Sequence, residues 1–358
     1  MKNKAEVKKT RFSILNVIII VLVLIIAGSV GYIAYRRSTV DKSMIGEKGD
    51  LLASNENINV MLTRPDNWRQ IASKSLLYRA EFAQIDGSTA TIPITAELAR
   101  QFCAADDDII SAYVRHNTTH NAYVNLISGD TNTLYGKNGD MIEQKVHLIF
   151  ATSPSDEELE MAEGYHVELE VEPVAMDGFV FITHKDNPVD SLTVQQVRDI
   201  YSGKITNWSE VGGKDEKIRA FQREKNSGSQ TAMEELVMQG EPLADCPKAY
   251  VPETMGALVE RVAEYENEEC ALGYTYYYYI NNLYKNQDIK VLKIDGISPD
   301  NENLLSGDYP FTASYYVVIR SDEPEDSDMR KLRDYMLSDE GQAIVELAGY
   351  CPAGGKNE

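Results

Sequence analysis

Short apolar runs alternate with amphipathic ones along most of the chain. "VHLIFAT" (146–152) and "GFVFITH" (178–184) are continuous apolar runs of strand length, which predicts buried strands. "DEELEMAEG" (156–164) predicts a helix that stops at its glycine. "LTVQQVRDIYSG" (192–203) predicts another: Thr193 caps it, Val194, Val197 and Ile200 share one face, and Gly203 ends it. "KIRAFQR" (217–223) reads as a strand, "TAMEELVMQG" (231–240) as a helix, and "LGYTYYYYI" (272–280) is rich in β-formers. Its tyrosines, 274 and 276–279, are expected to alternate between core and surface. "MRKLRDYMLSDEGQAIVELAGY" (329–350) predicts one or two helices. "NWRQIASKSLLYRAEF" (67–82) predicts a short amphipathic helical segment, "HNTTH" (116–120) a loop, and Trp208 packing of the loop after its helix. Strands alternating with helices predict an α/β fold with mostly parallel sheets, and 358 residues suffice for two such domains.

The first residues break this rhythm. Lys2, Lys4, Lys8, Lys9 and Arg11 precede an almost uninterrupted apolar run from Phe12 to Tyr35. That run exceeds the roughly 20 residues that cross a bilayer as a helix. A cleaved signal peptide fits less well, because Tyr32-Ile33-Ala34 puts tyrosine where a small residue is wanted. "IAGS" (26–29) resembles a lipobox with Ser29 in place of the lipidated cysteine. The pattern therefore predicts a cytoplasmic tail (1–11), a single transmembrane helix (12–35), a linker with a short helical segment (36–75) and an extracellular domain held at the cell membrane.

Composition narrows the partners. A net charge of -21 excludes nucleic acid and disfavours anionic lipid. Any anion site must then work through local dipoles. Cys103, Cys246, Cys270 and Cys351 form no C-x-x-C pair, so zinc spacings are absent; disulfides and free thiols both remain open. No zincin helix, nucleophile elbow or phosphate loop appears, and no metal, cofactor or catalytic residue is expected.

One kind of chemistry does recur. In "FQREKNSGSQTAMEELVM" (221–238), Arg223 stands just ahead of Asn226-Ser227-Gly228-Ser229, and that turn opens a helix. Helix starts present unpaired N–H groups, small residues let an anion approach them, and arginine offers a planar fork for two oxygens. In "QIDGSTATIPIT" (84–95), Gly87-Ser88-Thr89 precede another helix with Pro93 in its first turn. Asp86 is a candidate acceptor there. In "ATSPSDEEL" (151–159), Thr152, Ser153 and Ser155 form a third hydroxyl turn between a strand and a helix.

"DGSTATIPIT", "LTVQQVRDIYSGKITNWSEVGG" and "FQREKNSGSQTAME", in this order, resemble the phosphate-binding protein of bacterial phosphate ABC transporters, especially its membrane-anchored branch. "GYTYYYY" and "SDEGQAIVELAGY" extend the resemblance from about Arg79 to Pro352. It implies a type II periplasmic-binding-protein fold: lobe 1 from 76–174 plus 272–355, lobe 2 from 175–271, and a hinge. The implied function is capture of inorganic phosphate or a similar oxyanion by a monomer, for delivery to an ABC permease. The implied contacts are Ser88, Thr89, Arg223, Asn226, Ser227, Gly228 and Ser229. Here Asn226 replaces the family's glycine, and Lys225 stands where the family has an aspartate that accepts the proton of hydrogen phosphate. A second acceptor aspartate gives way to Pro154 or Ser155. The alternatives are an anion sensor of the same fold without transport, or a serine-dependent phosphoryl-transfer enzyme.

Overall fold

The computed structural model describes residues 64–136, 139–263 and 270–353. The basic tail, the apolar span 12–35 and most of the linker lie outside them. Among the described residues no helix is long and apolar enough to cross a membrane.

The strands are β1 (Ile85–Gly87), β2 (Thr131–Tyr135), β3 (Met141–Lys145), β4 (Leu148–Ala151), β5 (Leu169–His184), β6 (Ser191–Leu192), β7 (Arg219–Ala220), β8 (Ala271–Tyr276), β9 (Ile289–Val291), β10 (Lys293–Ile294), β11 (Thr312–Arg320) and β12 (Cys351–Pro352). The main sheet runs β1-β4-β11-β5-β8-β7. Strand β5 explains its shape. The Leu169–Gly178 half pairs antiparallel with β11, and the Phe179–His184 half pairs antiparallel with β8 and β9. One long strand thus joins two half-sheets. Parallel pairing is confined to β1 with β4, β7 with β8, and β6 with β10. The expected mostly parallel sheet is therefore a mixed one, because the long central strands β5 and β11 run against their neighbours.

The helices are α1 (Ile92–Cys103), α2 (Thr119–Ser128), α3 (Asp156–Gly164), α4 (Val194–Tyr201), α5 (Gly228–Ala232), α6 (Met255–Ala263), α7 (Asn301–Ser306), α8 (Asp328–Met336) and α9 (Asp339–Leu347). Helix α3 takes its expected bounds. Helix α4 starts where Thr193 Oγ1 accepts the Gln196 N–H at 3.1 Å, and Gly203 follows in the left-handed region. The segment read as one helix over 231–240 starts earlier, at Gly228, and widens into π geometry over Met233–Met238. Strand β7 covers only two of the residues expected for it.

Strand β4 is buried throughout, as are Phe179 to Thr183 of β5. Strand β8 is also buried along its whole length, so Tyr274, Thr275 and Tyr276 are all interior and the expected alternation fails. Tyr279 and its neighbours turn instead into a π-helical segment, Tyr279–Leu283. Trp208 is buried and donates to Cys270 O at 2.9 Å, packing its loop as expected.

The amphipathic stretch 67–82 forms no helix before the 3₁₀ turn Glu81–Gln84. Side-chain bonds strap it to α1 instead: Trp68 Nε1 donates to Glu97 Oε1 at 2.7 Å, and Gln101 Oε1 accepts the Ile71 N–H at 2.7 Å. All four cysteines are free thiols.

Candidate functional site

Three chain segments that the sequence separates widely meet at Gly228. A β-carbon there would collide with Thr152 Oγ1 and stand 2.6 Å from Thr119 Oγ1. Only a residue without a side chain lets the start of α5 approach the end of β4 and the start of α2 this closely. Thr119 and Thr152 are 6% and 4% exposed. Thr152 Oγ1 has no hydrogen-bond partner among the described residues. A buried hydroxyl left unpaired costs on the order of 1–3 kcal/mol, so an open donor at a junction points to a group that would meet it.

Arg223 supplies the charge. It is 8% exposed, and no carboxylate forms an ion pair with it among the described residues. Its Nε donates to Pro252 O at 3.1 Å, Nη2 to Glu253 O at 2.9 Å, and Nη1 to Ser229 Oγ at 3.3 Å. Two backbone carbonyls therefore aim the fork, and among the described residues two of its five N–H donors stay open. The backbone N–H of Arg223 is held by Gln230 Oε1 and by the Tyr274 hydroxyl. Burial pushes the guanidinium pKa down, opposed by nearby tyrosines and Glu224. A buried cation without a counter-ion is costly, and an anion beside it recovers that cost.

The turn between Arg223 and α5 is built for backbone exposure. Asn226 takes φ +65°, the left-handed conformation that asparagine tolerates better than most residues. Ser227 caps the helix through Gln230 N at 3.3 Å. Within the helix the N–H groups of Gly228 and Ser229 have no acceptor one turn back. The Gly228 carbonyl is fixed from behind by the Tyr276 hydroxyl at 2.9 Å. Lys225, by contrast, is exposed and pairs with Glu157 Oε2 at 3.2 Å; the same oxygen accepts from Asn226 Nδ2 at 2.7 Å.

The first hydroxyl turn lies at the neighbouring strand end. Gly87 stands opposite Phe150 in register, two residues before Thr152. Ser88 N donates to Phe150 O at 2.9 Å, and Thr91 Oγ1 donates to the same carbonyl at 2.7 Å. Ser88 is buried, and Thr89 is half-exposed at the tip. His116 sits behind this turn: its Nδ1–H donates to Ser88 O at 2.8 Å, and Nε2 meets Thr95 Oγ1 at 3.0 Å. Burial pushes the imidazole down, while the Ser88 bond and Asp86 pull it up.

Asp86 does not serve as a free acceptor. Its carboxylate is fully buried and accepts four hydrogen bonds, from Gly87 N, Asn117 N, Asn117 Nδ2 and Asn125 Nδ2. Those donors fill its lone pairs and make it the buried tie of its own loop. In the third turn, Ser155 N donates to Glu158 Oε2 at 2.8 Å as part of a helix cap, and Ser153 Oγ donates to Glu235 Oε2 at 2.8 Å at the rim.

This frame can be compared with known proteins. The model of the PBP superfamily domain matches residues 79–340. The chain belongs to the PBP superfamily. Relatives of this PBP-superfamily chain include the phosphate-binding protein PstS of Borreliella burgdorferi, 24% identical over 78% of this chain and 94% of that one. PstS of Bacillus subtilis is 24% identical over 75% of this chain and 79% of that one. Among solved structures, one from Clostridium perfringens, assigned as a phosphate ABC transporter substrate-binding protein with bound phosphate, aligns with a TM-score of 0.57. It is 28% identical and covers 75% of this chain and 98% of that one. A phosphate transport receptor from Vibrio cholerae, at 21% identity and a TM-score of 0.52, shares the fold over 75% of this chain and 98% of that one.

In this PBP-superfamily chain the structure brings Thr152, Gly228, Ser229 and Arg223 to one junction, with Ser88 and Thr89 on the adjacent strand end. It turns Ser153 and Asp86 toward protein partners, whereas Ser155 is buried and its Oγ, like Thr152 Oγ1, has no hydrogen-bond partner among the described residues. Thr119 was missed, because "HNTTH" reads as a loop. The helix in fact begins at Thr119, directly after Thr118 at φ +70°. The signal available was the hydroxyl pair before the apolar positions Ala122, Tyr123, Leu126 and Ile127.

Proposed function

We propose that the chain captures inorganic phosphate, or a tetrahedral oxyanion of similar size, between two lobes and delivers it to an ABC permease. The carrying observation is a buried Arg223 fork with no carboxylate partner among the described residues, held on Ser229, next to Gly228 where the unpaired Thr152 hydroxyl meets the chain. Ser88, Thr89, Asn226, Ser227, Gly228 and Ser229 complete the cradle, with Thr119 added to them. Lobe 1, expected over 76–174 plus 272–355, keeps β1, β4 and β11; lobe 2, expected over 175–271, extends to Val291, because β8 and β9 pair with the Phe179–His184 half of β5, and the lobes close about that strand. The phosphate-binding names of its relatives support this reading. Membership of the PBP superfamily makes the protein a binder and not an enzyme.

Residues 12–35 anchor a single monomeric chain in the cell membrane, with the binding domain outside. The apolar run and its basic flank support that topology. Electrostatics supports the site: the overall charge repels anions, so the cradle relies on one guanidinium, backbone N–H groups and hydroxyls acting at short range. Equilibrium dialysis of the purified chain against labelled phosphate tests the reading. One saturable site per chain is expected, and absence of retained phosphate would exclude it.

A further inference from the structure

We infer that this site takes tetrahedral dianions whether or not they carry a proton, so that sulfate binds about as well as hydrogen phosphate. The inference rests on the oxyanion reading above and concerns its selectivity.

Hydrogen phosphate and sulfate share shape and charge and differ by one O–H. A binding site separates them only by presenting an acceptor fixed in place. A carboxylate receives the phosphate O–H, and it faces a bare, like-charged oxygen when sulfate enters. A hydroxyl does neither, because it can turn to donate or to accept.

Of the carboxylates described around the junction, Glu224 and Glu253 beside Arg223 are exposed, and the others are engaged elsewhere. Asp86 holds its four donors inside the first loop. Glu158 accepts from Ser155 N and from His120 Nδ1 at 2.9 Å. Glu157, its side chain 48% exposed, is held by Lys225 Nζ and Asn226 Nδ2 through one oxygen. Glu234 accepts from Gln230 Nε2 at 2.8 Å. Glu235 is turned to Ser153 at the rim. Pro154 and the exposed Lys225 bring no acceptor side chain.

What meets at the junction is different in kind. Thr119 Oγ1 and Thr152 Oγ1 approach Gly228 directly, and Ser229 Oγ lies on Arg223. All three are hydroxyls, and Thr152 Oγ1 is free to rotate toward whichever partner the anion offers. The fixed groups, the Arg223 fork and the N–H groups at the start of α5, are donors only, and both anions accept from them alike.

The test is calorimetric titration of the full chain with sodium phosphate and, separately, sodium sulfate at about pH 8, where phosphate carries one proton. Both anions are expected to bind, with dissociation constants within about tenfold of each other. Thr152→Asp is expected to keep phosphate and to lose sulfate by at least about a hundredfold. Glu235→Gln is expected to leave the wild-type ratio unchanged. Phosphate binding with sulfate weaker by more than about tenfold in the wild-type chain would overturn the inference and leave the oxyanion reading standing. Binding of neither anion would remove both.

Discussion

Thr152 Oγ1 occupies the space that a β-carbon on Gly228 would fill. The two residues belong to different half-sheets, one at the end of β4 and the other at the start of α5. In the proposed function their contact is the point where the halves of the site close on each other.

Gly228→Ala should therefore act on closure as well as on stability. The backbone at Gly228 lies outside the left-handed region, so alanine fits its own helix start. The added methyl meets Thr152 and Thr119 across the junction. Oxyanion affinity should fall by about tenfold or more, and the melting temperature should fall too, since overpacking a buried contact costs about 1–3 kcal/mol. Calorimetry and thermal unfolding on the same variant check both halves.

Glu157 offers a contrast. It reaches from α3 to Lys225 and Asn226, but the Lys225 side chain is 78% exposed and that of Glu157 48%. Exposed pairs contribute about 0–1 kcal/mol and are screened by salt. Glu157→Ala should weaken binding by less than about fivefold, with a difference that fades near roughly 0.5 M salt. A loss as large as that for Gly228→Ala would mean that the exposed pair, and not the buried junction, holds the closed state.

Asp177 gives a pH prediction. It lies on β5 near the switch between half-sheets and accepts from Gly178 N, Tyr278 N and the Tyr315 hydroxyl. Burial pushes its carboxyl up to about 7 against those bonds. The folded state therefore favours the protonated form more than the unfolded state does. The stabilising contribution is full below the ordinary carboxylate range and is lost as pH rises toward about 7. Asp177→Asn, which keeps an acceptor for the two N–H groups, should flatten the fall in melting temperature between about pH 4 and 7. An identical pH profile in both proteins would contradict this.

Local signals carried much of the fold. The Thr193 cap, the bounds of α3 and the apolar core of β4 follow from residues a few positions apart. The proposed cradle rests on the same kind of signal: Gly228, Ser229 and Arg223 lie within one short stretch, and Thr152 follows a strand. What stayed hidden depends on distant partners. Asp86 resembles a free loop acid until Asn117 and Asn125, far along the chain, occupy its oxygens. Thr119 gains meaning only through Gly228. The run of tyrosines after Tyr276 has strand-forming side chains, yet it leaves β8 for a π turn, because packing overrides intrinsic preference. The length of β5 is likewise set by two sets of neighbours, β11 and then β8.

Arg223 decides the central claim. The most direct measurement is calorimetric titration of phosphate into the wild-type chain and Arg223→Ala under the same conditions. Removing the fork from a buried site should cost about 2–5 kcal/mol, turning one-to-one binding into heats close to background. Arg223→Lys should recover only part of the loss, since an ammonium cannot hold Pro252 O and Glu253 O and still present a planar face. Equal phosphate affinity in the wild type and Arg223→Ala, with both folded, would contradict the account.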